Sequence, residues 1–504
     1  MSPPGVAAPS DPARPAPRGG SPAGPSPQDL RTAAAKVLRA NDRGSITVAA
    51  PELYPHQWSW DAAFVCVGLA QLSVPRACIE LDSLLAGQWR TGMIPHIVFS
   101  DDVEAPYFPG PEWWRAHELA EAAPRKPRTS GICQPPVHAI GLHQILRIAR
   151  DRASSSPSNA DRSNADGATS SADRASSKAD GATSSADRDD LRGAEEFARR
   201  AWPALYAWHR WLVTTRRDES TGLIAIVHSW ESGLDNSPRW DEPYRAVPTG
   251  PLPPYRRRDI GVVADESQRP GSEEYNRYLW LVEELKHAEY DDAAIARTGS
   301  FRVGDVFFTA VLAVACEVLA DLAEGLTPAL DPRVVGDLRR WCGELRAAVA
   351  ATFDPATGLA RDYDIRAGQW VASETVAGFA PLLCGGLPYE AEQRMLAVFD
   401  GPAWCGHPDL AVPAPPSTSL ASVALDRRRY WRGPLWPVII WWYEWALRRR
   451  GITVRADALR DAGLRLVSDG RFGEYYEPIT GEALGSADQS WTAAVALDWL
   501  RGVR

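Results

Sequence analysis

The chain has 504 residues, 45% of them hydrophobic, and a formal net charge of −9. That length admits about three domains of roughly 150 residues or one large helical domain, and the negative balance offers no basic surface to nucleic acid or to anionic lipid. Seven cysteines, an odd number without a CxxC pair, read as the reduced thiols of a soluble, cytoplasmic protein and carry no metal-ligand spacing.

Residues 1–27 are rich in Pro, Gly, Ala and Ser, contain no apolar signal core and are expected to form a disordered leader. Helical periodicity follows near 29–40, 60–73 and 138–150. A low-complexity stretch then runs from about 152 to 190, with ADGATSSADR starting at Ala165 and again at Ala179. It reads as a floppy surface insertion between two helices. Helical stretches resume near 192–214, 273–287, 302–324, 334–351, 389–398, 437–449, 455–467 and 488–501. In 302–324, Val306, Phe307, Ala310, Val311, Val314, Val318, Leu319 and Leu322 form one apolar stripe. Strand alternation is scarce. Trp436 to Leu447 reads as the longest apolar run; it is too short to span a membrane and contains Glu444. Helices separated by long loops rich in Trp, Pro, Gly and Asp suit an all-α fold, an (α/α)6 toroid whose loops build a pocket at one end. Residues 28–504 are taken as that one domain, with lid segments near 85–130 and 236–300.

Tryptophan is the compositional outlier, with 21 residues. Most fill the core, but several cluster beside polar motifs, where flat indole faces suit the C–H faces of sugars. Five segments concentrate carboxylates, aromatics and helix breakers: YPHQWSWD (54–61), GICQPP (131–136), HSWESGLDNSPRWD (228–241), YWRGPLWP (430–437) and FGEYYEPITGE (472–482). Inverting glycoside hydrolysis needs two carboxyl groups, one protonated and one ionised, about 6.5–9.5 Å apart. Asp235 lies among Trp230, Leu234 and Trp240, apolar company that suits a proton donor, although Asp-Asn-Ser-Pro is also good turn chemistry. Glu474 stands in a loop where Tyr475 and Tyr476 can wall off a water site, whereas Glu477 and Glu482 read as surface glutamates. Asp61 opens a helix, which admits a capping role, and Arg432 admits a structural ion pair. The nine histidines lie singly; His56, His138 and His228 read as hydrogen-bonded structural residues. No HExxH, GxSxG or P-loop is present, so neither metal nor organic cofactor is expected.

In this order the five segments resemble glycoside hydrolase family 63, in particular its small bacterial members acting on glucosylglycerate and mannosylglycerate. The likeness runs from about Leu30 to the C-terminus outside the 152–190 stretch, and ESGLDNSPRWD, YWRGPLWP and EYYEPITG carry it together. The resemblance implies that Asp235 is the general acid and Glu474 the general base. It implies that Asp61 holds the glucose unit and that Tyr54, Trp58, Gln134, Trp230, Tyr430, Trp431 and Trp436 line its subsite. It places Arg269, Tyr275, Tyr107 and Gln489 where a glycerate carboxylate is held; Arg256, Arg257 and Arg258 are alternatives for the cation. The implied reaction is hydrolysis of 2-O-α-D-glucosylglycerate to glucose and glycerate with inversion. Mannosylglycerate, trehalose and gluco-oligosaccharides are the competing substrates. A sugar epimerase or isomerase on a similar toroid would need a placed histidine pair, which the sequence lacks. The expected partner is a small glycoside, and a homo-oligomer is compatible with the reading.

Overall fold

The segment SWDAAFVCVGLAQL has no polar face, and as the helix Ser59–Leu72 it is buried continuously from Ser59 to Ala70. Val306–Glu324 and Ser490–Trp499 are likewise buried around nearly their whole circumference. Helices apolar on every side belong inside a large core. The computed structural model describes residues 25–100, 107–155, 171–261, 265–326 and 331–501 and is mostly helical. Among these residues, six inner helices pack each on the next: Ser59–Leu72, His138–Ser155, Val306–Glu324, Ala380–Cys384, Pro437–Arg449 and Ser490–Trp499, with the last returning to the first. Gly68 lets Ser59–Leu72 and Ser490–Trp499 approach until a Cβ there would overlap the Ala494 backbone.

More polar helices pack outside these. Pro27–Asn41 lies on Ser490–Trp499, Val74–Leu85 on Ser59–Leu72, and Ser171–Trp211 on His138–Ser155. Pro332–Ala351 lies on Val306–Glu324 and Thr453–Leu466 on Pro437–Arg449. Val74–Leu85 escaped the periodicity reading because only Ser73, its N-cap, separates it from the preceding helix.

Three expectations change here. Among the described residues Val306–Glu324, not the Trp436–Leu447 run, is the apolar segment long enough to cross a membrane, with a mean hydropathy of 2.1. It is a core helix, since 89% of that window is buried inside the protein. The 152–190 stretch is partly helical, because His138–Ser155 reaches into it and Ser171–Trp211 begins within it. Residues 156–170 lie outside the described ones, as do residues 1–24 of the expected leader. Short strands are also more numerous than alternation suggested. Ile224–Ile226, Val303–Asp305, Asp362–Asp364 and Gln369–Val371 form an antiparallel four-stranded sheet in that order. At two or three residues each, such strands leave almost no period to read.

That sheet anchors the loop after Asp235. Arg239, wholly buried, pairs at 2.5 Å with both Asp305 and Asp362. Asp305 also caps Val306–Glu324 by accepting the N–H groups of Phe307 and Phe308. Two further pairings serve the cavity: Gln57–Trp58 with Ile97–Val98, and Tyr475–Tyr476 with Ala483–Leu484.

Candidate active site

The loops at the N-terminal ends of the inner helices Ser59–Leu72 and Ser490–Trp499 meet around a cavity of about 390 Å³. Tyr54, Trp58, Asp61, Tyr107, Gln134, Trp230, Asp235, Arg269, Tyr275, Tyr430, Glu474 and Gln489 all line it. Twelve positions scattered from 54 to 489 thus meet at one cavity.

Glu474 enters from the strand hairpin, 1% exposed. Its Oε1 accepts the Tyr54 hydroxyl at 2.8 Å and its Oε2 accepts the Ser486 N–H at 3.0 Å. Arg269 Nη1 lies 3.9 Å from Oε1. Burial raises the Glu474 carboxyl above its ordinary range, while Arg269, the Ser486 N–H and the Tyr54 hydroxyl favour the ionised form. Asp235 is different in kind. Burial lifts its carboxyl to about 7, and Arg269 and a Tyr430 hydroxyl 3.4 Å away only partly offset that. One carboxyl is therefore held by several donors, and the other is poised to carry a proton near neutrality.

The turn and capping alternatives do not describe these residues. Ser237 stands at the N-cap of the turn Pro238–Trp240, and Trp58 at that of Ser59–Leu72. Asp61 instead sits in the first helical turn, buried on the cavity, and burial with the Glu474 charge pushes its carboxyl well above the usual range. Arg432 does take the structural role, pairing with Asp241 through two 2.8 Å contacts. Glu482 is exposed and paired with Arg428. Glu477 is not a surface residue; it is 2% exposed, and its Oε2 accepts the N–H groups of Ile479 and Thr480, which closes the turn after Tyr476.

Trp431 and Trp436 correct the expectation that they line the sugar subsite. Neither lines the cavity. Their rings stack at 3.5 Å with an interplanar angle of 3°, and Tyr475, Trp60 and Trp491 pack around them. With their faces covered, they support Tyr430 from behind. Besides Trp58 and Trp230, the indoles that line the cavity are those of Trp60 and Trp491. Trp60 stood inside the quoted YPHQWSWD motif, and Trp491 two residues past Gln489, but both read as ordinary helix residues.

Arg256 to Asp259, Gly261, Arg269, Pro270 and Tyr275 supply a further part of the lining. Arg269 is 8% exposed, stacks over the Tyr430 ring at 4.4 Å and lies 3.5 Å from Asp259. Its Nε and Nη1 make no hydrogen bond to protein groups. Arg257, over the Tyr275 ring at 4.3 Å, is instead committed to Asp259 and to the Pro270 carbonyl. Arg256 and Arg258 are exposed at the rim. Asp259 itself, joining Arg257 and Arg269, was not anticipated; a single Asp between arginines gave no signal. Tyr107 meets Trp58 edge to face at 5.1 Å, Tyr275 donates to the Phe108 carbonyl at 3.5 Å, and Gln489 accepts the Ser486 hydroxyl at 2.7 Å.

The histidines are structural as expected: His138 bonds Ser59 Oγ at 2.9 Å and His228 the Tyr278 carbonyl at 3.0 Å. Burial lowers them to about 4 and about 3. Among the described residues no cluster of three or more His, Cys, Asp or Glu side chains is placed to hold a metal ion.

Residues 54–492 match the Mannosylglycerate hydrolase MGH1-like glycoside hydrolase domain. The chain is 50% identical to the glucosylglycerate hydrolase of Mycolicibacterium hassiacum over 94% of its own length and 98% of that protein. It is 37% identical to the mannosylglycerate hydrolase of Thermus thermophilus, over 93% of this chain and all of that one. A crystal structure of the family 63 mannosylglycerate hydrolase of Thermus thermophilus with Tris and D-glycerate superposes with a TM-score of 0.77. There the identity is 36%, over 93% of this chain and 99% of that one.

Proposed function

Since the chain belongs to the MGH1-like glycoside hydrolases of family 63 and is a glycosidase, we propose that it hydrolyses 2-O-α-D-glucosylglycerate to glucose and glycerate with inversion. The single observation that carries the reading is the shared cavity of Asp235, Glu474 and Arg269. Asp235, held near 7, protonates the leaving oxygen. Glu474, oriented by Tyr54 and Ser486, takes a proton from the water that attacks the anomeric carbon. Asp61, Trp58, Gln134 and Trp230 surround the sugar.

Arg269 faces the aglycone. Its guanidinium lies on the cavity with Asp259 and Glu474 at 3.5 and 3.9 Å and suits a carboxylate, which a guanidinium binds more strongly than a hydroxyl. Glucose is preferred to mannose as the sugar because the glucosylglycerate hydrolase shares 50% of residues, against 37% for the mannosylglycerate hydrolase. The ring of six inner helices with its outer layer supports an (α/α)6 toroid, and Tyr107, Arg256 to Asp259, Arg269 and Tyr275 supply the cover of its pocket. Seven unpaired cysteines fit a reducing compartment such as the cytoplasm.

The purified protein should release sugar from glucosylglycerate faster than from mannosylglycerate, trehalose or glucosylglycerol. Proton NMR of the first turnovers should show β-glucose. First-formed α-glucose would contradict inversion, and indifference to the glycerate carboxylate would overturn the substrate.

A further inference from the structure

Tyr430 is a non-glycine residue with φ of 38°, a conformation that costs energy unless its surroundings impose it. The peptide unit that follows it is gripped from both ends. Asn236 Oδ1 accepts the Trp431 N–H at 2.9 Å, and Trp436 Nε1 donates to the Tyr430 carbonyl at 3.3 Å. The Asn236 carbonyl in turn accepts Arg432 Nη1 at 3.3 Å, and Arg432 is tied to Asp241 by two contacts of 2.8 Å. Asn236 is 2% exposed and, like Arg432, does not line the cavity. Its backbone neighbour is Asp235, so one side chain spans the gap between the loop bearing Asp235 and the loop bearing Tyr430.

We infer that Asn236, with Arg432, is a positioning residue for proton donation: the pair fixes Tyr430 against Asp235 and so aims the acid at the leaving oxygen. The inference rests on the reading of Asp235 as general acid. The tie acts on the acid directly and on the base at second hand: Tyr430 places its hydroxyl 3.4 Å from Asp235 Oδ2, whereas Glu474 is bonded by Tyr54 and Ser486, and Tyr430 reaches it through Arg269, which stacks over its ring, and through Tyr54. Loosening this tie should impair protonation of the departing group and spare the activation of water.

Two substrates separate those steps. The leaving oxygen of glucosylglycerate must be protonated as its bond to the anomeric carbon breaks. In α-glucosyl fluoride, fluoride departs with the C–F electron pair and needs no proton, while water adds at the same carbon and gives its proton to Glu474. Asn236→Ala should lower kcat/KM for glucosylglycerate at least about tenfold and for the fluoride less than about threefold, since acid assistance is lost only where it is needed. Arg432→Gln should show the same imbalance and serves as the reading should Asn236→Ala fail to fold. Equal losses on both substrates in a folded variant, or no loss on either, overturn the inference while leaving the glycosidase reading intact. An unmutated protein inactive on both substrates would instead remove the functional reading and this inference with it.

Discussion

The Tyr54 hydroxyl donates to Glu474 Oε1 across 2.8 Å, tying the loop before the first inner helix to the loop before the last. With the Ser486 N–H on Oε2, it holds the carboxylate in one orientation and favours its charged form. Tyr54→Phe keeps the ring, which packs edge to face on Trp58 at 5.1 Å, and removes only the donor. A hydrogen bond to a charged group is worth about 1.5–3 kcal/mol, so kcat/KM should fall roughly ten- to a hundredfold. The acidic limb of the pH profile should move upward as Glu474 becomes easier to protonate. Wild-type kinetics in a folded Tyr54→Phe protein would detach Tyr54 from the base.

The pH dependence follows from the two carboxyls. Asp235 must be protonated, and burial holds it at about 7, so activity should decline as pH rises through that value. Glu474 must be ionised, and its carboxyl is raised above the ordinary range, so the acidic limb should lie above that range. Stability has a matching sign. A carboxyl raised on folding favours the native state at low pH, and that contribution is lost as pH rises through the folded value. Asp235→Asn removes the titration, so its Tm should gain on the parent's between about pH 4 and pH 8. Parallel Tm profiles would show that Asp235 is not raised.

The long helices were legible because burial imposes a period: the stripe at 302–324 and the 437–449 stretch became inner helices. The paired strands were not, since two or three residues hold no period and their pairing is set by partners far away in sequence. The site was legible as segments. Asp235, Glu474 and Arg269, from three segments far apart in sequence, line one cavity. Depth was not legible. Nothing in YWRGPLWP distinguishes Tyr430, which faces the cavity, from Trp431 and Trp436, which stack behind it. That difference comes from the φ of Tyr430 and from the Asn236 contact, both tertiary.

Gly485 marks how tightly the base is packed. Its φ is 70°, and a Cβ there would collide with Glu474 Oε2 and approach Tyr475 Cε1 to 2.6 Å. Gly485→Ala should therefore lose about 1–3 kcal/mol of stability through backbone strain and displace the carboxylate as well. Activity should drop by more than the unfolded fraction accounts for, which comparison of residual rate with chemical denaturation would show. An alanine variant with parental kcat would mean that Glu474 has room to move, contrary to a rigidly held base.

The charge of the aglycone decides the substrate, and Arg269 is the residue that reads it. It is 8% exposed, braced over the Tyr430 ring at 4.4 Å, with Asp259 and Glu474 at 3.5 and 3.9 Å. Arg257 cannot substitute, because Asp259 and the Pro270 carbonyl already occupy its donors. Arg269→Ala should lower kcat/KM for glucosylglycerate roughly ten- to a hundredfold, the worth of one or more charge-assisted hydrogen bonds. Loss of the neighbouring positive charge should also make Glu474 easier to protonate and raise the acidic limb on every substrate. Measured on the plateau above that limb, neutral glucosylglycerol should lose far less than glucosylglycerate, because no anion goes unbound. Equal losses there would give Arg269 a structural role, and undiminished hydrolysis of glucosylglycerate would move the anion site to the rim, where Arg256 and Arg258 stand.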